Sequence, residues 1–167
     1  MAVITYLEAI RTAMKEEMER DDNVFVLGED VGKGGVMNAT KGLRDQFGEE
    51  RVMDTPLAES AIAGVAIGAA MYGMKPVAEM QYADFIFPAT NQIISEAALI
   101  RYRSNNDWNC PVVIRAPYGA TGGGALYHSQ CPEGVFFGIP GLKIVAPSDP
   151  YDAKGLLKAA IRDADPV

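Results

Sequence analysis

With 167 residues, 49% of them hydrophobic and 22% charged, the sequence suits one α/β domain with a substantial core, and not comfortably two. The formal charge is −7 and no block of Lys or Arg interrupts the acids, which excludes nucleic acid and anionic membrane as expected partners, since both need a clustered basic surface. Cys110 and Cys131 are too few and too far apart for a zinc knuckle or a CxxC redox pair, and the uncharged, mostly apolar run 60–74 falls short of the roughly 20 residues that span a bilayer.

Thr5 and Glu8 form a capping-box pattern that opens a helix to about Arg20, with Tyr6, Ala9, Ile10, Ala13 and Met14 on one face. Asp21, Asp22 and Asn23 then break it. The short apolar run 24–27, ending at Gly28, reads as a strand buried on both faces. A loop with Gly32, Gly34 and Gly35 leads to a helix over 41–47 that Gly48 closes. Residues 51–53 read as a second strand, running into Asp54-Thr55-Pro56.

The helix expected over 59–72 is rich in small residues, including Gly64 and Gly68. Glycine inside a helix costs about 1 kcal/mol against alanine, so something is expected to approach this backbone closely. A strand over 75–80 follows, then a helix over 84–100 ending in the basic Arg101 and Arg103, which suit a helix C-terminus. Further strands are expected over 111–114 and 142–146, with a long Gly-rich loop over 117–130 between them. Asp149 caps a last helix with Pro150 at its first position, running to about Arg162. Strands that alternate with helices and lack apolar/polar alternation predict a parallel sheet covered on both faces. That alternation calls for one more strand after the last helix, so the sequence reads as a fragment of a longer fold. Two thiols without a signal peptide fit a reducing cytoplasm.

Two residues stand out as chemistry. Glu59 opens the glycine-rich helix after a Thr-Pro turn. An acid there favours the helix dipole; alternatively, close apolar backbone desolvates it, and burial readies a carboxyl for proton transfer. His128, the only histidine, lies in a loop flanked by polar groups. It is either a general acid at neutral pH or a hydrogen-bonded loop residue. No G-x-S-x-G elbow supports a hydrolase, and the clusters Gly32–Gly35 and Gly122–Gly124 match no phosphate-binding motif.

Several stretches, however, match one family in register from about Tyr6 to Val167. They are Val26-Leu27-Gly28-Glu29-Asp30-Val31, 51–59 ending in Asp-Thr-Pro-Leu-Ala-Glu, 79–87, Arg101-Tyr102-Arg103-Ser104, Ile114-Arg115-Ala116-Pro117-Tyr118-Gly119, 125–130 and Pro140-Gly141-Leu142-Lys143. The chain resembles the N-terminal, pyrimidine-binding domain of the beta subunit of thiamine-diphosphate-dependent 2-oxo acid dehydrogenases, and the Tyr-His-Ser-Gln loop resembles the branched-chain type. The resemblance implies a transketolase pyrimidine-domain fold over 1–167, with the family's C-terminal domain absent. It implies oxidative decarboxylation of a 2-oxo acid and acyl transfer to lipoamide. Glu59 would hydrogen-bond the ring nitrogen of the cofactor's aminopyrimidine, Leu57, Gln81 and Phe85 would line that pocket, and His128 would assist acyl transfer.

It further implies a monovalent cation, often potassium, at Val112, Ala160, Ile161, Asp163 and Asp165. The sequence lacks a G-D-G stretch followed by Asn, so an alpha subunit would supply magnesium and hold the diphosphate. A second beta subunit and a lipoyl acyltransferase core would be the other partners, in a bacterial cytoplasm or a mitochondrial matrix. Pyruvate- and acetoin-type beta subunits and other transketolase-like half-sites share the pattern, and a pure subunit-assembly module is the reading from another class. Gly123 stands where many relatives carry histidine, Ala120 and Thr121 replace usual glycines, and 135–139 also departs, so substrate selectivity does not carry over.

Overall fold

The computed structural model describes residues 3–120 and 124–167. Helix α1 (Tyr6–Arg20) starts on the expected capping box: the Thr5 hydroxyl accepts from the Glu8 N–H, and the Glu8 carboxylate accepts from the Thr5 N–H. Strand β1 (Val24–Gly28) is buried at every position, as an apolar run between two helical layers must be. After two 3-10 turns come α2 (Leu43–Phe47), closed by Gly48 at φ +83°, and β2 (Val52–Asp54). The series continues with α3 (Glu59–Met71), β3 (Lys75–Glu79), α4 (Ile100–Arg103), β4 (Val113–Arg115), α5 (Glu133–Phe136) and α6 (Pro150–Arg162). Among the described residues no helix is long and apolar enough to cross a membrane.

The four strands form one parallel sheet in the order β2-β1-β3-β4. Each face carries its own core. Met14, Met18, Leu43, Val52, Leu157 and Ile161 belong to the α1/α6 side, while Ile62, Ala66, Ile67, Met80 and Ile93 belong to the α3 side. The expected α/β class and two-sided cover are therefore observed.

Buried charge ties α1 to α6. Glu17 is 1% exposed and accepts from Arg162 Nε at 2.8 Å and Nη2 at 2.5 Å, with Arg20 at 3.4 Å. The neighbouring Glu16 accepts from Lys154 and Lys158. The Arg162 hydrogen bond holds the Glu17 carboxyl below its usual range in spite of burial.

Two expected elements are corrected. Residues 84–100 do not form one α-helix. The stretch is a chain of 3-10 turns (Ala83–Phe85, Phe87–Ala89, Ala97–Leu99) and a π-helical piece (Gln92–Glu96), and only α4 at its end is α-helical. Pro88 lacks the N–H that an α-helix requires at that point, and the Ala97 N–H reaches back to the Gln92 carbonyl, the longer bond of a π-turn. Residues 142–146 form no strand and join no ladder. β4 is the last strand on that side, and the Lys143 N–H bonds the Pro166 carbonyl instead.

Candidate functional site

The α1/α6-side core includes Leu43 of α2, whereas α3 packs on the opposite face. The connections from β1 to β2 and from β2 to β3 thus run over different faces, which puts the topological switch point, where open α/β sheets form a ligand crevice, at the carboxyl ends of β1 and β3. Three segments converge on that edge: Gly28-Glu29 from β1, 54–59 from β2, and Glu79-Met80-Gln81 from β3. The Thr55 N–H donates to the Gly28 carbonyl at 3.0 Å, fastening the second segment to the first.

Glu59 is the first residue of α3 and is 9% exposed. Ala58 occupies the capping position and has no side-chain acceptor, so the first-turn amides lack the partner that Thr5 gives α1. Nearby in sequence, the Thr55 hydroxyl is buried with no hydrogen-bond partner. A buried acid, an uncapped helix start and an orphaned hydroxyl at one crevice are unfavourable for folding alone, and such groups cluster at functional sites.

Sequence reasoning overlooked Glu29. It too is 9% exposed; burial pushes its carboxyl up, and the charges of Glu59 and Asp30 add to the effect. The signal was an acid placed directly after the buried strand end at Gly28. Because the folded value lies above the ordinary 4.5, the folded chain holds this proton more tightly than the unfolded one. That stabilisation is complete below the unfolded value and is lost as pH rises through the folded one. Glu29→Gln removes the dependence, so the wild type should lose stability relative to the variant as pH rises from the ordinary carboxylate value through the raised folded one. Urea melts at several pH values measure this, and a constant difference would place Glu29 outside the shared acidic setting.

The structure brings Phe85 and His128 together, with Tyr82 as a third member that the sequence did not mark for this role. The His128 ring lies 4.3 Å from Tyr82 and 5.3 Å from Phe85, both edge-to-face, and Tyr82 and Phe85 are 5.8 Å apart. The loop carrying His128 is tied to the 83–85 turn through the Gln130 N–H, which reaches the Asp84 carboxylate at 3.3 Å. Gly124 sits against the His128 side chain, with no room for a Cβ. Gln81 is half-buried, and Leu57 is 78% exposed, on the outer side of the segment leading to Glu59. Thr121, Gly122 and Gly123 lie outside the described residues.

The five positions expected to hold a monovalent cation lie near one another, where α6 ends and β4 begins. The Asp163 N–H donates to the Ala160 carbonyl at 3.1 Å, and the Val167 N–H to the Val112 carbonyl at 3.0 Å. Their carboxylates already have cationic partners: Lys143 lies 2.7 Å from Asp163, and Arg101 pairs with Asp165. Among the described residues no three His, Cys, Asp or Glu side chains group closely enough to hold a metal ion. A monovalent cation here would rely on the carbonyls, whose second lone pairs remain available.

Comparison with known proteins adds three findings. The model of the family described as "Transketolase, pyrimidine binding domain" matches residues 2–167. The chain is 76% identical over 168 aligned positions to the 2-oxoisovalerate dehydrogenase subunit beta of Bacillus subtilis, covering 100% of this chain and 51% of that protein. It is 51% identical to the pyruvate dehydrogenase E1 component subunit beta of Acholeplasma laidlawii, again over 100% of this chain and 51% of that one. The chain therefore spans about half the length of the curated relatives it matches. Among solved structures, a split-gene transketolase in an inactive beta4 tetramer superposes with a TM-score of 0.76 at 22% identity, over 99% of this chain and 50% of that one. At that identity the likeness concerns the fold alone.

Proposed function

Because the chain belongs to the family of transketolase pyrimidine-binding domains, we propose that it is the cofactor-facing domain of a branched-chain 2-oxo acid dehydrogenase beta subunit. The observation that carries this reading is Glu59, buried at an uncapped helix start beside a second buried acid, at the switch point of the sheet. Thiamine diphosphate, when bound, supplies the electron sink that decarboxylation of a 2-oxo acid requires.

The protein's part is placement and proton management. Glu59 holds a proton at its carboxyl for the pyrimidine ring nitrogen, and Glu29 shares the acidic setting. Phe85 offers an apolar wall and Gln81 an amide at the rim, while the exposed Leu57 adds a second wall once the alpha subunit covers it. His128, fixed against Tyr82 and Phe85, presents an imidazole to the acyl acceptor, a lipoyl group on an acyltransferase. An alpha subunit holds the diphosphate and magnesium, in keeping with the missing G-D-G motif. Potassium on the Val112, Ala160 and Ile161 carbonyls, with Asp163 and Asp165 beside them, would fasten α6 to β4. A second beta subunit completes the enzyme, in the cytoplasm of a bacterium.

Identity favours the branched-chain substrate, since 76% to a 2-oxoisovalerate enzyme exceeds 51% to a pyruvate enzyme. The pyruvate-type reaction is the second reading. A graft decides between them: this chain replaces the matching half of the Bacillus subtilis beta subunit and is co-expressed with the alpha subunit. Turnover should require thiamine diphosphate and magnesium and should prefer 2-oxoisovalerate to pyruvate. Preference for pyruvate would select the second reading, and a folded graft without cofactor-dependent turnover would overturn both.

A further inference from the structure

A clasp built from other side chains joins the two segments that carry Glu29 and Glu59. In the sheet Gly28 pairs with Asp54. Past that rung β1 runs into the loop holding Glu29 and Asp30, and β2 into the segment leading to Glu59. The Thr55 N–H bonds the Gly28 carbonyl, and the Asp54 carboxylate bridges the remaining gap. Its Oδ1 accepts from the Gly32 N–H at 2.6 Å, and its Oδ2 accepts from Arg44 Nη1 at 2.6 Å. Both are short bonds to an ionised group, the strong kind. Arg44 stands on α2, which the buried Leu43 anchors in the core, so the clasp has a fixed backing.

Gly32 leaves no room for a Cβ, which would strike the Arg44 guanidinium and lie 2.8 Å from Asp54 Oδ2. Its φ is not in the left-handed region, so close approach rather than backbone freedom requires glycine here. Charge is distributed with a matching bias. Lys33 pairs with Asp30 at 2.9 Å, and Arg44 pairs with Asp54 and, at 3.2 Å, with Glu49. The cations of this edge thus serve the outer acids. The charges that act on Glu29 are those of Glu59 and Asp30; burial first, and then these charges, push its carboxyl up.

We infer that Arg44 and Asp54 are positioning residues for the acidic pair: their clasp on Gly32 sets the spacing between the Glu29 and Glu59 carboxyls. Asp54 ties the Glu29 loop to the Glu59 segment. Arg44 neutralises Asp54, whose bare charge would repel the inner acids and push the two segments apart. The purpose of this spacing rests on the reading of Glu59 as a proton carrier for the cofactor, while its geometry does not.

Asp54→Ala and Asp54→Asn, each with and without Glu29→Gln, test this by thermal unfolding over the pH range in which Glu29 titrates. The Asp54 side chain is 31% exposed, so its truncation opens no deep cavity. In the wild type, the gain in Tm from Glu29→Gln should grow as pH rises. Asp54→Ala should cut that pH-dependent gain by at least about half, because groups drawn apart no longer couple. The Thr55 amide should exchange at least about tenfold faster as the segments part. Asp54→Asn keeps an oxygen for the Gly32 N–H and should keep most of the gain. A lower Tm in Asp54→Ala with an unchanged gain would make the clasp a mere brace and overturn the inference. Equal behaviour of the two substitutions, or a gain that is flat with pH in the wild type, would overturn it too. None of these readouts involves cofactor or turnover, so a failed clasp and a failed graft are told apart.

Discussion

Glu59→Gln in the assembled enzyme is expected to lower 2-oxo acid turnover by about 10²–10⁴-fold, the usual worth of a positioned proton donor or acceptor. Glutamine keeps the shape and the place at the head of α3, but its amide cannot hold a titrating proton for a ring nitrogen. The loss to the fold is small. An acid in the first turn of a helix contributes about 0.3–1 kcal/mol through the helix dipole, and removing one of two neighbouring buried carboxylates relieves repulsion with Glu29. The far-ultraviolet circular dichroism spectrum and the subunit stoichiometry should therefore match the wild type. The loss should fall on kcat rather than on the KM for the 2-oxo acid, because Glu59 is placed against the cofactor. Near-normal kcat with intact cofactor binding would remove Glu59 from the proton path.

Arg115→Met should be the most damaging single change to stability, by about 3–5 kcal/mol. Arg115 Nη2 lies 2.5 Å from Glu79 Oε2, with the side chains 11% and 0% exposed. The pair touches without an aligned hydrogen bond, so charge neutralisation is what Arg115 gives Glu79. Without it the Glu79 carboxylate has no exit. A Cβ on Gly35 would lie 2.8 Å from Glu79 Oε1, and a Cβ on Gly28 2.7 Å from the Glu79 carbonyl. For a domain whose whole stability is about 5–15 kcal/mol, such a loss brings the folded state near its margin. Adding Glu79→Gln to Arg115→Met should recover much of it, since no buried charge is then stranded. Urea unfolding of both variants measures the difference, and a single mutant within about 1 kcal/mol of wild type would show that solvent reaches Glu79.

Much of this architecture was legible because local chemistry and global packing agreed. The Thr5/Glu8 box, the uninterrupted apolar run of β1, Gly48 after α2 and Asp149-Pro150 before α6 each carry their own physical instruction. Where prediction failed, the deciding partner was distant in sequence or absent. Residues 142–146 have the composition of a strand but no neighbour to pair with. Pro88 was a local warning within 84–100, but the π-turn at Gln92–Glu96 has no comparable marker. At the site, Glu59 and His128 could be singled out as unusual residues. Their companions could not: Glu29 matters through the proximity of another acid, and Tyr82 through an edge-to-face contact across 46 positions, the same separation that Gln130 and Asp84 bridge. The crevice itself arises from which face each connection crosses, and no short motif encodes that.

The Glu17–Arg162 clasp has a consequence for biosynthesis. It joins residues 145 positions apart, so the layer under one side of the sheet cannot close until nearly all of the domain has left the ribosome. Until then α1 travels with its hydrophobic stripe exposed and with Glu17 partnered only by Arg20 of its own helix, a natural substrate for chaperones. Synthesis that stalls within α6 would release a chain whose first helix has nothing to close against.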